Sequence, residues 1–300
     1  MTIDHIEVRT DVDLAPMTTY KVGGRASLFA EPHDLETLRS ILAATPAGIE
    51  IVTIGRGSNV VISDDGIDGL VIRLGASFSA IEIRDDGTVV AGGAVLLPRL
   101  ARAAAARGRA GLGFYLGIPG SVGGAVRMNA GGHGSDTVAV LRSVVLVDTR
   151  TGEARNRTAG ELALGYRSSN LDDTDIVVQA TFATTDGDVG TLDRELRDIT
   201  RWRRNHQPSG ALNAGSVFKN PPQGSPAGQL IDMLGLKGTR VGPVRISEIH
   251  ANFMIAEPGA KAMDIWRFVH TIRSIVQERT GTELEPEIRF LGVFEERTPS

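Results

Sequence analysis

The sequence predicts an α+β fold in more than one domain. Three observations carry this. Hairpin signals and amphipathic helical stretches coexist without the strict strand–helix alternation of a parallel sheet. The chain has 300 residues, enough for two or three cores. One run, Gly111 to Gly134, holds nine glycines and only one charged residue, Arg127. Glycine is entropically costly to order, so such a run needs a geometric reason.

Ser27 to Ala30 is apolar, and a helix is expected from about His33 to Ala44, with Leu35, Leu38, Ile41 and Leu42 on one face. Ile51 to Ile54 reads as a short strand that feeds the turn Gly55-Arg56-Gly57-Ser58-Asn59, followed by a strand at Val60 to Ser63. That turn fits either an amide cradle for phosphate or a plain hairpin. Leu70 to Arg73 is a strand, and Asp85-Asp86-Gly87 joins Ala80–Arg84 to Thr88–Ala91 as a hairpin. Leu96 to Arg107 is helical. Ser143 to Val147 begins another hairpin around Asp148-Thr149-Arg150-Thr151-Gly152. Ile176 to Thr184 alternates as a strand, and Val189 to Arg204 is helical. A boundary is expected near 205–212. Beyond it come a helix at Ala227–Leu234, a strand near Asn252–Ile255, a long amphipathic helix at Ala262–Arg279 and a strand at Leu284–Leu291. The long helix should bury Ile265, Phe268, Val269, Ile272 and Ile275.

Composition removes several function classes. Hydrophobic residues make up 41% and charged residues 23%, ordinary for a globular protein. A net charge of −4 argues against nucleic-acid binding. The absence of cysteine excludes disulfides, thiolate metal centres and a thiol nucleophile. No metal site is expected. The first residues lack the apolar core of a signal peptide, and no window is apolar enough to span a membrane, so a cytoplasmic location is expected. Gly117-x-x-Gly120-x-x-Gly123 has the wrong spacing and context for a dinucleotide fingerprint, and no Gly-Lys-Ser/Thr phosphate loop is present. The central glycine run therefore reads either as a well-turned connection or as a nucleotide-cofactor loop opening a short helix at Ser121.

Several motifs occur in one order: TYKVGG, GRGSNVVISDDGIDGLVI, GIPGSVGGAVRMNAGGHG, GYRSS, NAGSVFKNP, AGQLID with LKG, and LEPEIRFLG. Together they resemble the UDP-N-acetylenolpyruvoylglucosamine reductase (MurB) family over roughly residues 15 to 292. The resemblance implies an FAD-binding fold of the PCMH/vanillyl-alcohol-oxidase type with two subdomains, at 1–75 and 76–206. A smaller α+β substrate-binding domain follows at 207–283, and the C-terminal segment 284–300 packs on the first subdomain. It implies non-covalent FAD, NADPH as co-substrate, and a monomer acting on small molecules in peptidoglycan precursor synthesis. The chain lacks tyrosine after Tyr166, and only 49 positions separate Arg167 from Ser216, which matches the shorter type II form.

The resemblance also implies site residues. Arg167 matches the family's catalytic arginine, Ser216 its proton donor and Glu287 its catalytic glutamate, with Glu285 the neighbour if the register slips. Gly55, Gly57, Ser58 and Asn59 match the FAD diphosphate loop. Ile118, Pro119, Gly120, Ser121, Gly123, Gly124, Asn129 and Gly131 match the stretch along diphosphate and isoalloxazine. Lys219, Asn220, Gln229 and His250 are candidates for the sugar nucleotide. Without the resemblance, Arg167 reads as a solvated turn residue, Ser216 as a turn hydroxyl or cap, and Glu287 as an outward strand residue. Ala256 and Lys261 stand where the family usually has Asn and Thr. Three other readings are compatible with parts of the pattern: an FAD-dependent oxidase of the same fold, with His133 as its candidate for a covalent flavin link; a non-catalytic UDP-sugar binder; and a glycine-rich structural protein without cofactor.

Overall fold

The computed structural model describes residues 2–3 and 6–295. The last five positions of the C-terminal segment assigned above, 296–300, lie outside the described residues. The chain forms two compact units. Of the described residues, one holds 2–3, 6–10, 28–56 and 69–203, the other 11–27, 57–68 and 204–295.

In the first unit, helix α1 (Leu35–Ala44) begins where the Asp34 side chain accepts from the Thr37 amide, and it buries Leu38, Ile41 and Leu42. These pack with Ala30, Leu70, Ile72, Val147 and Ile176 in one apolar cluster. Residues 50–53 pair in parallel with 69–72. A five-stranded antiparallel sheet has the order Ala154–Thr158, Leu141–Asp148, Asp175–Ala183, Thr88–Gly92, Ile81–Ile83. Both expected hairpins are in it. Its central strands alternate inward residues such as Val144, Leu146, Ala180 and Phe182, and these meet α2 (Leu97–Ala105) in a larger cluster. The glycine run then gives a 3₁₀ turn at Gly113–Gly117 and a six-residue helix, α3 (Val122–Arg127). A four-residue helix, α4 (Thr137–Val140), and the long α5 (Val189–His206) as far as Arg203 complete the unit. The strand Asp175–Ala183 and α5 fill most of the 49 positions between Arg167 and Ser216.

In the second unit, a three-stranded antiparallel sheet has the order Arg240–Val241, Val244–Ile246, Met254–Ala256. Helix α6 (Ala227–Met233) buries Ala227 and Ile231. The long α7 (Ala262–Thr280) buries Ile265, Phe268, Val269, Ile272 and Val276. Ile275 is partly buried against the same core, and Val276 beside it is the last fully buried position, because a 3.6-residue period carries the centre of the stripe one residue on. Helix α7 starts under the carboxylate of Asp64, which accepts from the amides of Ala262 at 2.8 Å and Met263 at 3.0 Å. It ends at Gly281, whose left-handed φ of 73° closes the helix.

Two expectations change. The strands flanking Gly55–Asn59 do not form a hairpin: 50–53 pair with 69–72, and Val60–Ile62 pair in parallel with Arg289–Leu291. Only Arg289–Leu291 of the expected strand from Leu284 is regular, because Pro286 has no amide to donate and this stretch makes single bridges instead.

Candidate functional site

The first unit contains a cavity of about 420 Å³ lined by Gly55, Ser121, Gly123 and Gly124. These are four of the residues that the resemblance marks for FAD. A Cβ on Gly55 would overlap Ser121 Oγ, and one on Gly123 would stand 3.3 Å from the carbonyl oxygens of Gly93 and Val177. The wall therefore has close backbone approaches that a side chain would fill. Among the described residues, the amides of Gly55 and Arg56 donate to no protein acceptor, which is the condition for an anion-binding concavity. Arg56, Arg73 and Arg127 also line the cavity, against the carboxylates Glu31 and Asp175. Asp175 is buried and already ion-paired with Arg155. Glycine backbone at Gly55, Gly123 and Gly124, free amides and a guanidinium excess fit the diphosphate of a dinucleotide such as FAD.

Ile118, Pro119, Gly120, Asn129 and Gly131 are not among the residues lining this cavity. Ile118, Pro119 and Gly120 form the turn into α3, and the Gly120 carbonyl accepts from the Leu97 amide at 2.9 Å. Asn129 and Gly131 follow α3 and meet the Arg167 turn. Arg167 Nη2 donates to the Gly131 carbonyl at 2.8 Å and Nη1 to that of Asn129 at 3.5 Å. Arg167 is half-buried, in a left-handed conformation with φ 53°, and its guanidinium lies 5.2 Å from the Tyr166 ring centroid. His133, the expected site for any covalent flavin, packs edge-on to Trp202 at 5.0 Å. Burial first, then the nearby Arg203 charge, holds its imidazole below the ordinary histidine pKa.

The second unit joins Gly57, Ser58, Asn59, Ser216, Lys219 and Glu287 on neighbouring segments. Asn59 Nδ2 donates to the Glu287 carbonyl at 3.0 Å, and the Asn59 carbonyl accepts from the Arg289 amide at 2.9 Å. Ser216 follows a turn in which Asn213 Oδ1 accepts from the Gly215 amide at 3.0 Å, and it bridges to Phe253. One residue on, the Val217 carbonyl accepts from the Glu287 amide at 2.7 Å. Ser216 and Glu287 thus lie on paired segments and are both half-buried. Glu285 is exposed and bonded to Lys219 Nζ at 2.6 Å.

The other sugar-nucleotide candidates are close in sequence to this frame but have local duties. Asn220 Oδ1 accepts from Ala227 at the start of α6, at 3.1 Å. Gln229 is exposed on α6. His250 Nδ1 accepts from the Asn252 amide at 3.2 Å, and burial, with the Lys237 charge, keeps its pKa below the ordinary value. Burial and the acceptor role of Nδ1 both favour the neutral ring.

The sequence alone did not single out Glu31, Arg73 or Asp175 as lining residues. They lie on separate segments, with no motif of their own. Among the described residues no group of His, Asp or Glu is arranged to hold a metal ion, and no helix is long and apolar enough to cross a membrane.

Comparison with known proteins matches both units. Residues 207–291 match the C-terminal domain model of UDP-N-acetylenolpyruvoylglucosamine reductase, and residues 26–157 match an FAD binding domain. The UDP-N-acetylenolpyruvoylglucosamine reductase of Parvibaculum lavamentivorans is 42% identical over 97% of this chain and 93% of its own. That of Halalkalibacterium halodurans is 39% identical over 95% of each. The crystal structure of the reductase from Thermus caldophilus, 33% identical, superposes with a TM-score of 0.83 over 96% of this chain and 100% of that one.

Proposed function

Because the chain belongs to the UDP-N-acetylenolpyruvoylglucosamine reductase family, we propose that it reduces UDP-N-acetylglucosamine enolpyruvate to UDP-N-acetylmuramate with electrons from NADPH, as a cytoplasmic monomer. The observation that carries this reading is kinship along nearly the whole chain, 42% identity over 97% of its length. The proposed division of labour is two FAD-binding subdomains, 1–75 and 76–206, and a substrate-binding domain at 207–283.

FAD, held without a covalent bond, supplies hydride transfer from NADPH to the vinyl terminus of the substrate. Gly55, Gly57, Ser58 and Asn59 would present main-chain donors to its diphosphate. Ile118, Pro119, Gly120, Ser121, Gly123, Gly124, Asn129 and Gly131 would supply the rest of the surface that holds it. Hydride addition leaves negative charge on the carbon beside the substrate carboxylate. Arg167 binds that carboxylate with planar, permanently charged donors. Its attraction grows as the enolate-like charge develops, so it favours the transition state over the ground state. Glu287, protonated or sharing a proton, supports the same charge. Ser216 gives its hydroxyl proton to that carbon. A serine hydroxyl is a weak acid, so this transfer needs a strongly basic carbanion and donors around the resulting oxyanion. Lys219 supplies a cation held in place by Glu285. Asn220, Gln229 and His250 complete the sugar-nucleotide contacts.

The test is anaerobic NADPH oxidation with and without the enolpyruvyl substrate. Substrate-dependent oxidation that Ser216→Ala abolishes, with a flavin that denaturation releases, is the expected result. A flavin that NADPH reduces but the enolpyruvyl substrate never reoxidises would overturn the substrate assignment.

A further inference from the structure

The turn that carries Arg167 is held by a buried amide side chain from the glycine-rich run. Asn129 is 2% exposed and follows α3 with a left-handed φ of 39°. All of its side-chain polar capacity points into the protein. Its Oδ1 accepts from the Val138 amide at 2.9 Å, and its Nδ2 donates to the Gly165 carbonyl at 2.8 Å and to Asp136 Oδ2 at 3.3 Å. Gly165 is the neck of the turn: it exchanges both main-chain bonds with Ser168, at 3.1 and 3.3 Å. Arg167 returns the tie through its guanidinium bonds to the carbonyls of Asn129 and Gly131. The same two segments are joined again when Ser169 Oγ donates to the Arg127 carbonyl at 2.7 Å. Arg127 Nη2 in turn donates to the carbonyls of Asp172 and Asp175 at 3.0 and 2.7 Å. Both residues have a positive φ: 39° at Asn129, a residue type that tolerates it, and 53° at Arg167, where a long side chain holds it only under constraint.

We propose that Asn129 is a positioning residue for Arg167. By pinning the Gly165–Ser168 neck, it delivers the guanidinium in one orientation to the substrate carboxylate. A guanidinium already held in one plane loses little further freedom on meeting that carboxylate. The proposal rests on the reading of Arg167 given above. It gives the Asn129 side chain a task separate from the backbone surface offered to the cofactor.

The test is a double-mutant cycle on the holoenzyme, with Asn129→Ala, Arg167→Ala and both together. Stopped-flow absorbance follows reoxidation of the reduced flavin by the enolpyruvyl substrate. Asn129→Ala should slow this step about 10- to 100-fold, the scale of a small misplacement of a reacting group, and reduction by NADPH far less. In the Arg167→Ala background the same change should add less than about twofold, because the two residues act as one unit. An equal loss in both backgrounds would overturn the proposal, since Asn129 would then act through the fold or the cofactor. Should Arg167→Ala itself leave reoxidation unchanged, the reading of Arg167 fails instead. Limited trypsin digestion gives a readout without turnover. Cleavage after Arg167 should speed up several-fold in Asn129→Ala while cleavage at other sites keeps its rate; an unchanged rate at Arg167 overturns the lock. If Asn129→Ala does not fold, Asn129→Gly serves both tests, because it removes the same side chain and adopts the positive φ of 39° freely.

Discussion

Replacing Gly57 by alanine tests whether the Gly55–Asn59 loop is fixed by close backbone approach. Gly57 is buried with a left-handed φ of 67°. A Cβ there would overlap the Met17 carbonyl oxygen and stand 2.9 Å from Thr18 Cα. Both neighbours are backbone, so no side chain can swing away. The Thr19 amide also donates to the Gly57 carbonyl at 3.0 Å, which ties the two segments at the same point. Left-handed backbone costs a residue with a Cβ about 1–2 kcal/mol. Forcing a methyl group into packed surroundings adds about 1–3 kcal/mol. Gly57→Ala should therefore cost about 2–5 kcal/mol in all. Gly259→Ala is the control in the same unit: φ is 89°, and a Cβ there meets nothing within 4 Å. It should lose only the backbone component. Urea unfolding followed by circular dichroism compares the two, and the ratio of flavin to protein absorbance in the purified enzymes reports FAD retention. Gly57→Ala should unfold at clearly lower urea than Gly259→Ala and carry less flavin. If the two variants unfold at the same urea concentration, the close-approach argument is refuted.

Three further outcomes follow from the structure. Asp64→Ala removes the carboxylate that caps the start of α7 and should cost about 1–2 kcal/mol, recovered in part by Asp64→Asn, which keeps one of the two acceptor oxygens; equal losses in the two variants would show that capping is not the source. Asp148 is buried, and bonds from Arg150, with help from Arg155, hold its carboxyl well below the ordinary carboxylate pKa. Its stabilisation is full above about pH 4, the unfolded value, and is lost as pH falls through the depressed folded value. Asp148→Asn should therefore be about 2–3 kcal/mol less stable at pH 7, with a gap that narrows in acid. A pH-independent gap in chemical denaturation would contradict this. Burial raises the phenol pKa of both Tyr20 and Tyr115, so the folded protein at pH 10 should show the 295 nm phenolate signal of neither. Two extra phenolates at pH 10 in a protein that circular dichroism shows to be folded would contradict their burial.

Much of this protein is legible in its sequence because local physics specifies it. The apolar spacing along α1, α2, α5 and α7 fixes helices wherever they pack. The Asp85-Asp86-Gly87 and Asp148–Gly152 turns fix hairpins, because both partners lie within a few residues. The ordered motifs carry the family, and with it the expectation of Arg167, Ser216 and Glu287. What the sequence could not determine is which distant segment completes each local feature. The strands flanking Gly55–Asn59 read as a hairpin, yet Val60–Ile62 takes its partner from Arg289–Leu291, more than two hundred residues on. Helix α7 has a local cap from Asp264 and a second one from Asp64, almost two hundred residues earlier. Asn129 sits in a cofactor-like run, but its side chain is spent on Gly165. In each case the partner is a main-chain group or a short side chain brought close by the tertiary fold. Such partners leave no periodic or compositional trace, so only the folded structure decides them.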